Sequence, residues 1–340
     1  MSSSLQDEYI KKESLYGAQN YSPLSVVLEK GEGAYLWDVD GNKYLDMVSA
    51  YSAVSHGHSH PELLKTLHEQ SSKLAVTSRA FYTEPFSIFL EKLSKVSGFE
   101  SILTMNTGAE AVETAIKAAR RWGYFSKGIP EDKAEIIVAN GNFHGRTTTI
   151  VSFSSDASYK DGFGPFTPGF NSAEYCGSCD CQSIDSCLSI ESFEKKINKN
   201  TCAILVEPIQ GEAGIRVPTD GWLKQLRALC TSRNILLILD EIQSGLGRTG
   251  KLFAYEHENI KPDGLILGKA LGGAILPISA FLSSKEIMNH FNPGSHGSTF
   301  GGNPLASKIA IKAIDLLFEE KLIENSKKMG EYFLTSLRQI

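Results

Sequence analysis

This chain lacks most of the features that mark a specialised protein. No apolar run approaches the roughly 20 residues a bilayer-spanning helix needs, so no such span is expected. Basic residues are not in excess: 34 Lys and Arg stand against 39 Asp and Glu, a net charge of −5. That balance argues against the basic footprint of a nucleic-acid or anionic-membrane binder. Cysteines number six in 340 residues, too sparse for a disulfide scaffold and in keeping with a reducing compartment. The opening MSSSLQDEYIKKES contains no apolar signal segment and is too acidic for a typical transit peptide. A cytoplasmic location is therefore expected over the mitochondrial matrix. There is no internal repeat, heptad array or long low-complexity linker. What remains, 41% hydrophobic and 21% charged residues, is an ordinary globular mixture. It suffices for one large core, or a large domain plus part of a second.

The patterning is that of a layered α/β domain. GAYLWDVDGNKYLDMV (33–48) reads as a small hairpin turning at Asp40-Gly41. From about residue 62, helical periods alternate with short apolar runs at 101–107, 134–140, 202–209, 235–242 and 264–269. Helices are expected between several of them, for example over 110–122 and 222–233. Apolar runs without alternation are strands buried on both faces, and helices between them imply a mostly parallel central sheet. Asn303-Pro304 then supplies an N-cap and a first-turn proline for a helix to about Glu319. The expected division is an N-terminal segment over 1–55 that is part of a small domain, a large domain over 56–300, and the start of a C-terminal small domain over 301–340. A small domain cut short would leave helix 304–319 with few packing partners.

Chemistry concentrates at the ends of the apolar runs. Asp240 closes one, Leu236–Leu239, and Lys269 follows another, Leu265–Leu267, with Gly268 before it and Gly272-Gly273 after it. An aspartate and a lysine so placed are what an enzyme needs to hold pyridoxal phosphate (PLP). The amine can form a Schiff base with an aldehyde, and the carboxylate can pair with a pyridinium nitrogen. A lysine in an apolar site also has a lowered pKa and can act as nucleophile and base. NTGAEAVETA (106–115) offers a phosphate turn: Thr107 and Glu110 have capping-box spacing, and Gly108 and Ala109 start a helix whose amides carry the positive dipole end. NFHGRT (142–147) offers Phe143 as a stacking ring and Arg146 as a carboxylate clamp. VEPIQGEAG (206–214) brings Glu207 and Glu212, Gln243 can reach a phenolic oxygen, and GSTFGGNP (297–304) gives Ser298 and Thr299 as a second phosphate grip. Singly, these residues also fit bland roles: a plain strand–turn–helix junction, a turn-capping aspartate, a surface lysine or arginine, a core aromatic. Their order is the stronger signal, because ligands in open parallel sheets bind beyond the carboxyl ends of the strands.

With these motifs the chain resembles the class-III (ω-) aminotransferases of PLP fold type I, and within them those acting on ornithine. YGAQNYSPLSVVLEKGEGAYLWDVDGNKYLD (16–46), SAYSAVSHGHSHP (49–61), TSRAFY (77–82) and EPIQGEAG (207–214) carry the likeness. It implies an α/β fold with a mostly parallel sheet flanked by helices and an incomplete small C-terminal domain. PLP would be the cofactor. The resemblance implies the Schiff base at Lys269, the pyridine nitrogen on Asp240, the ring under Phe143 and the phenolic oxygen by Gln243. It puts the phosphate on Gly108 and Ala109, with Ser298 near and Thr299 donated by the partner subunit of a homodimer. Tyr21 and Arg146 would bind the α-carboxylate of ornithine, and Tyr51 would line the pocket. The implied reaction moves the δ-amino group of ornithine to 2-oxoglutarate in ping-pong order, giving glutamate 5-semialdehyde and glutamate. Acetylornithine or another ω-amino acid is the alternative substrate, and a catalytically incomplete PLP-binding fragment the alternative of another kind.

Two features depart from the family pattern. The pattern implies an arginine beyond residue 300 that pairs with Glu212, and Arg338, in a terminal helix, does not match it. The cluster Cys176, Cys179, Cys181 and Cys187, spaced C-x2-C-x-C-x5-C, reads first as a surface insert with free thiols, and after that equally as a zinc site or a thiol switch. The histidines His56, His58 and His60 look like a ligand set, but the resemblance makes their loop structural.

Overall fold

The structure, a computed structural model, describes residues 5–177 and 187–340. A small antiparallel sheet comes first, of β1 (Leu28–Glu32), β2 (Tyr35–Asp38) and β3 (Lys43–Leu45), in that order. Its hairpin turns where expected: Gly41 has φ +86°, and Asp38 Oδ1 accepts the amides of Asp40 and Asn42.

The main sheet has seven strands: β4 (Ser101–Met105), β5 (Glu135–Ala139), β6 (Phe170–Ala173), β7 (Thr201–Val206), β8 (Leu236–Asp240), β9 (Gly264–Leu267) and β10 (Ser279–Ser283). Their order is β4-β10-β9-β8-β7-β5-β6. β6 through β9 pair in parallel by way of β5, while β10 runs antiparallel to both β4 and β9. Five of these strands are the apolar runs of the sequence. β6 and β10 were not anticipated. β10 sits inside ISAFLSS, where two serines stand among the apolar side chains; Ser279 and Ser283 are nonetheless buried because each hydroxyl donates to a backbone carbonyl.

Every residue of β7, β8, β9 and β10 is buried. This is why their sequences run apolar without alternation. Alternate residues still serve opposite faces. Ile204, Val206, Leu237, Leu239, Leu265 and Leu267 join one core layer, and Ala203, Leu205, Leu236, Ile238 and Ile266 the other. The second layer is covered by helix Gly108–Phe125, through Ala111, Val112, Ala115, Ile116, Ala119 and Trp122. The first is covered by helices Glu84–Ser97, Trp222–Ser232 and Pro304–Glu319.

Helix Pro304–Glu319 corrects an expectation. It is not short of partners: Ile309, Ile311, Ile314, Leu316 and Leu317 are buried, against helices Pro61–Ser71 and Glu84–Ser97 and the turn at Lys269–Gly272. At about 1.5–3 kcal/mol per large side chain, this face anchors the helix to the layer that covers the main sheet. Helix Leu322–Leu337, in contrast, buries no residue. No helix among the described residues is long and apolar enough to cross a membrane.

Candidate active site

All the parallel strands end on one edge of the sheet, and the connections leaving them enclose a cavity of about 200 Å³. Gly108 and Ala109 come from the turn after β4, and Phe143, His144 and Gly145 from the loop after β5. Glu207, Ile209 and Glu212 follow β7, Asp240, Ile242 and Gln243 end β8, and Lys269 follows β9. Five strand ends thus bring together eight expected residues: Gly108, Ala109, Phe143, Glu207, Glu212, Asp240, Gln243 and Lys269.

The phosphate turn has its expected cap. Thr107 Oγ1 accepts the Glu110 amide at 3.2 Å, and Glu110 Oε2 accepts the Thr107 amide at 2.7 Å. The capping box fixes the start of an 18-residue helix. Gly108 and Ala109, in its first turn, have amides without intrahelical acceptors and stand at its positive end.

Asp240 is 5% exposed. Its Oδ1 accepts the Ile242 amide at 3.0 Å, and its Oδ2 lies 2.7 Å from His144 Nδ1. His144 was overlooked in the sequence, although it lies between Phe143 and Arg146. A histidine among buried residues one step past an apolar strand end was the available signal. Burial disfavours its imidazolium, but the hydrogen bond and charge of Asp240, helped by Glu207, outweigh that and raise its pKa. Its Nε2 is buried with no partner among the described residues.

Glu207 is buried and pushed up to about 7 by desolvation; its Oε1 accepts the Phe143 amide at 2.9 Å. Glu212 Oε1 accepts from Gln243 Nε2 at 3.1 Å. This contact explains Gly211, where a Cβ would fall 1.2 Å from Gln243 Oε1. Lys269 has φ +44°, a left-handed backbone that costs a non-glycine residue of order 1–3 kcal/mol. Burial lowers its pKa, against the opposing pull of Glu212, Asp240 and Glu207.

The remaining expected residues do not line the cavity. Arg146 stands outside it, its guanidinium carbon 5.9 Å from the Phe143 ring centroid. Tyr51 touches the rim through its carbonyl, which accepts from Gln243 Nε2 at 3.3 Å. Tyr21 lies in a separate hollow formed by the N-terminal segment. Ser298 accepts from Asn106 Nδ2 at 2.8 Å beside the phosphate turn, and Thr299 is exposed. Arg338 follows helix Leu322–Leu337 as its C-cap.

The cysteines and histidines make no metal site among the described residues. Cys179 and Cys181 lie outside the described residues. Cys176 and Cys187 are buried, so a surface insert does not describe them, and Cys176 Sγ is 3.2 Å from Thr219 Oγ1. The three histidines diverge: His56 Nε2 meets the Ala313 carbonyl, His58 Nε2 meets Asp46 and His60 Nε2 meets Glu320.

A half-buried lysine and an aspartate–histidine pair, facing a helix start across one cavity, define an enzyme of the lysine-dependent cofactor class. The family model "Aminotransferase class-III" matches residues 16–340, and the chain belongs to that family. The ornithine aminotransferase of Brevibacillus brevis is 53% identical over 331 residues, 97% of this chain and 80% of that protein. A structure of the Toxoplasma gondii ornithine aminotransferase, with partial occupancy of PLP at its active site, superposes with a TM-score of 0.93. It is 42% identical, over 98% of this chain and 76% of that one. The acetylornithine aminotransferase of Elizabethkingia anophelis superposes at 0.85 with 46% identity, over 98% of this chain and 78% of its own.

Proposed function

We propose that this chain is a PLP-dependent aminotransferase that moves the δ-amino group of ornithine to 2-oxoglutarate. The observation that carries the reading is the convergence of Lys269, Asp240, Phe143, Gly108 and Ala109 on one cavity, in a chain 53% identical to an ornithine aminotransferase. The residues fit the cofactor. Asp240, buried and already hydrogen-bonded to His144, can take a ring N–H. The amides of Gly108 and Ala109 suit a phosphate, and Phe143 suits a planar ring. Ser298 and, from the partner subunit, Thr299 complete the phosphate grip. Bound PLP supplies an aldehyde and an electron-withdrawing ring that stabilises negative charge at the reacting carbon.

The protein's own groups do the rest. Lys269 holds the cofactor at rest, and its depressed pKa leaves an amine able to take the proton from the δ-carbon of ornithine. Asp240, oriented by His144, keeps the ring nitrogen protonated. Gln243 orients the phenolic oxygen. Arg146 and Tyr21 bind the α-carboxylate of ornithine, which leaves the distal amine at the cavity, and Tyr51 walls the approach. Glu212 shapes the carboxylate end of the pocket through Gln243. A homodimer in the cytoplasm fits this reading: Tyr21, Leu24, Met47, Tyr51, Phe81 and Tyr82 are exposed, more apolar surface than a lone chain ordinarily leaves uncovered.

The test is optical. The purified chain with PLP turns yellow, and L-ornithine bleaches the colour, while 2-oxoglutarate restores it. A colourless protein after PLP addition overturns the enzyme reading. A large preference for N-acetylornithine overturns the choice of substrate.

A further inference from the structure

Tyr159 stands beside Arg146, a cation just outside the cavity that has no ion pair among the described residues. The guanidinium carbon of Arg146 sits 4.2 Å from the Tyr159 ring centroid. That same ring packs edge-on against Phe143, with centroids 5.9 Å apart and planes at 75°. Tyr159 therefore touches both the proposed stacking ring and the proposed carboxylate clamp. Its own position is fixed locally. It ends the short 3-10 turn Ala157–Tyr159, which Asp156 caps by accepting from Ser158 N at 2.8 Å and Ser158 Oγ at 2.7 Å. The next residue ties the turn back to the preceding helix, Lys160 Nζ donating to the Ser152 carbonyl at 3.1 Å. A side cavity of about 230 Å³ opens beside Arg146, walled by Thr148, Val151, Ser158, Tyr159 and Phe163.

We propose that Tyr159 is a positioning residue that sets specificity: its ring holds the Arg146 guanidinium ready for a carboxylate remote from the reacting amine. Amino acids are thereby selected over simple diamines. The idea rests on the role given to Arg146 above. An arginine has many rotors, and ordering it before substrate arrives removes a cost that binding would otherwise carry. A cation over an aromatic face supplies that ordering without competing for the hydrogen-bonding edge of the guanidinium. The phenol hydroxyl has no part in this, so phenylalanine must substitute for tyrosine.

The experiment compares wild type, Tyr159→Phe, Tyr159→Leu and Arg146→Ala, each loaded with PLP. KM is measured for L-ornithine and for 1,4-diaminobutane, which has no carboxylate. Calorimetry measures the Kd of glutarate, a carboxylate without an amine. Tyr159→Leu is expected to raise KM for ornithine and Kd for glutarate roughly 3- to 10-fold. Its KM for the diamine stays within about twofold, and Tyr159→Phe matches wild type in every column. Equal losses on ornithine and the diamine, or a Phe variant as poor as Leu, overturn the proposal. If wild type does not act on ornithine, the reaction assigned above falls. The glutarate column then decides Tyr159 alone, and a Leu variant that binds glutarate like wild type refutes it.

Discussion

Replacing His144 with phenylalanine is the most informative single perturbation of this fold. The ring shape is kept, and Phe153, whose centroid lies 6.0 Å away, remains an apolar neighbour. What is lost is the donor 2.7 Å from Asp240 Oδ2, in a place where both side chains are buried. The folded-state pKa of His144 lies above its ordinary 6.5. Its charge–charge contribution is therefore complete below pH 6.5 and fades as pH rises through the folded value. At pH 6 the substitution removes one partner of a buried ion pair, which costs about 3 kcal/mol. Once the pH is above the folded value the wild-type imidazole is a neutral donor, and the loss shrinks to about 1–2 kcal/mol, that of an unsatisfied buried acceptor. The assay is urea unfolding of both proteins without cofactor at pH 6 and pH 9. The expected result is a deficit at least about 1 kcal/mol larger at pH 6. Equal deficits at the two pH values would refute the buried charge pair.

Three further outcomes follow from named contacts. In Lys269→Ala, borohydride treatment with PLP is expected to leave peptide mass unchanged around residue 269, where wild type gains the cofactor. Turnover also falls by 10²-fold or more, the range for loss of a proton-moving group. Gly211→Ala places a Cβ where Gln243 Oε1 now lies, so Gln243 must leave Glu212. Kinetics should show about a tenfold loss in kcat/KM with a Tm close to wild type. Asn303→Ala removes the Oδ1 that accepts the Ala306 amide at 2.8 Å. Unfolding should register about 1 kcal/mol, and Asn303→Asp should restore it.

Much of this was legible in the sequence, for a physical reason. Strands buried on both faces leave uninterrupted apolar runs, so five of the seven sheet strands and their order of chemistry were readable. The polar residues at their ends, Asp240 and Lys269 above all, stood out against that background. β10 was hidden because Ser279 and Ser283 break the run, and their compensating carbonyl partners, on Thr107 and Asp263, lie outside the segment itself. His144 was hidden for the same reason: its worth depends on Asp240, 96 residues later. The packing of helix Pro304–Glu319 was misjudged because its partners, residues 61–97, are distant in sequence. Tyr159 gave no local signal, since a tyrosine in a polar turn looks like surface until Arg146 lies on its face.

The site's electrostatics explain how one lysine can be surrounded by acids and still serve as an amine. Three carboxylates, Glu212, Asp240 and Glu207, pull the Lys269 pKa upward, yet burial prevails and the net shift is down. That balance requires each acid to be engaged elsewhere. Asp240 has one oxygen on His144 and the other on the Ile242 amide. Glu212 accepts from Gln243. Glu207, pushed up to about 7 by burial, holds its negative charge less readily than an ordinary carboxylate, and one of its oxygens takes the Phe143 amide. Each carboxylate thus has a nearer partner than the lysine, and the attraction that would lock Lys269 as an ammonium is diluted. A site with the same three acids but without His144 and Gln243 would turn them toward the Lys269 ammonium. The histidine and the glutamine therefore matter to the lysine as much as to the carboxylates they touch, because they leave its amine free to react.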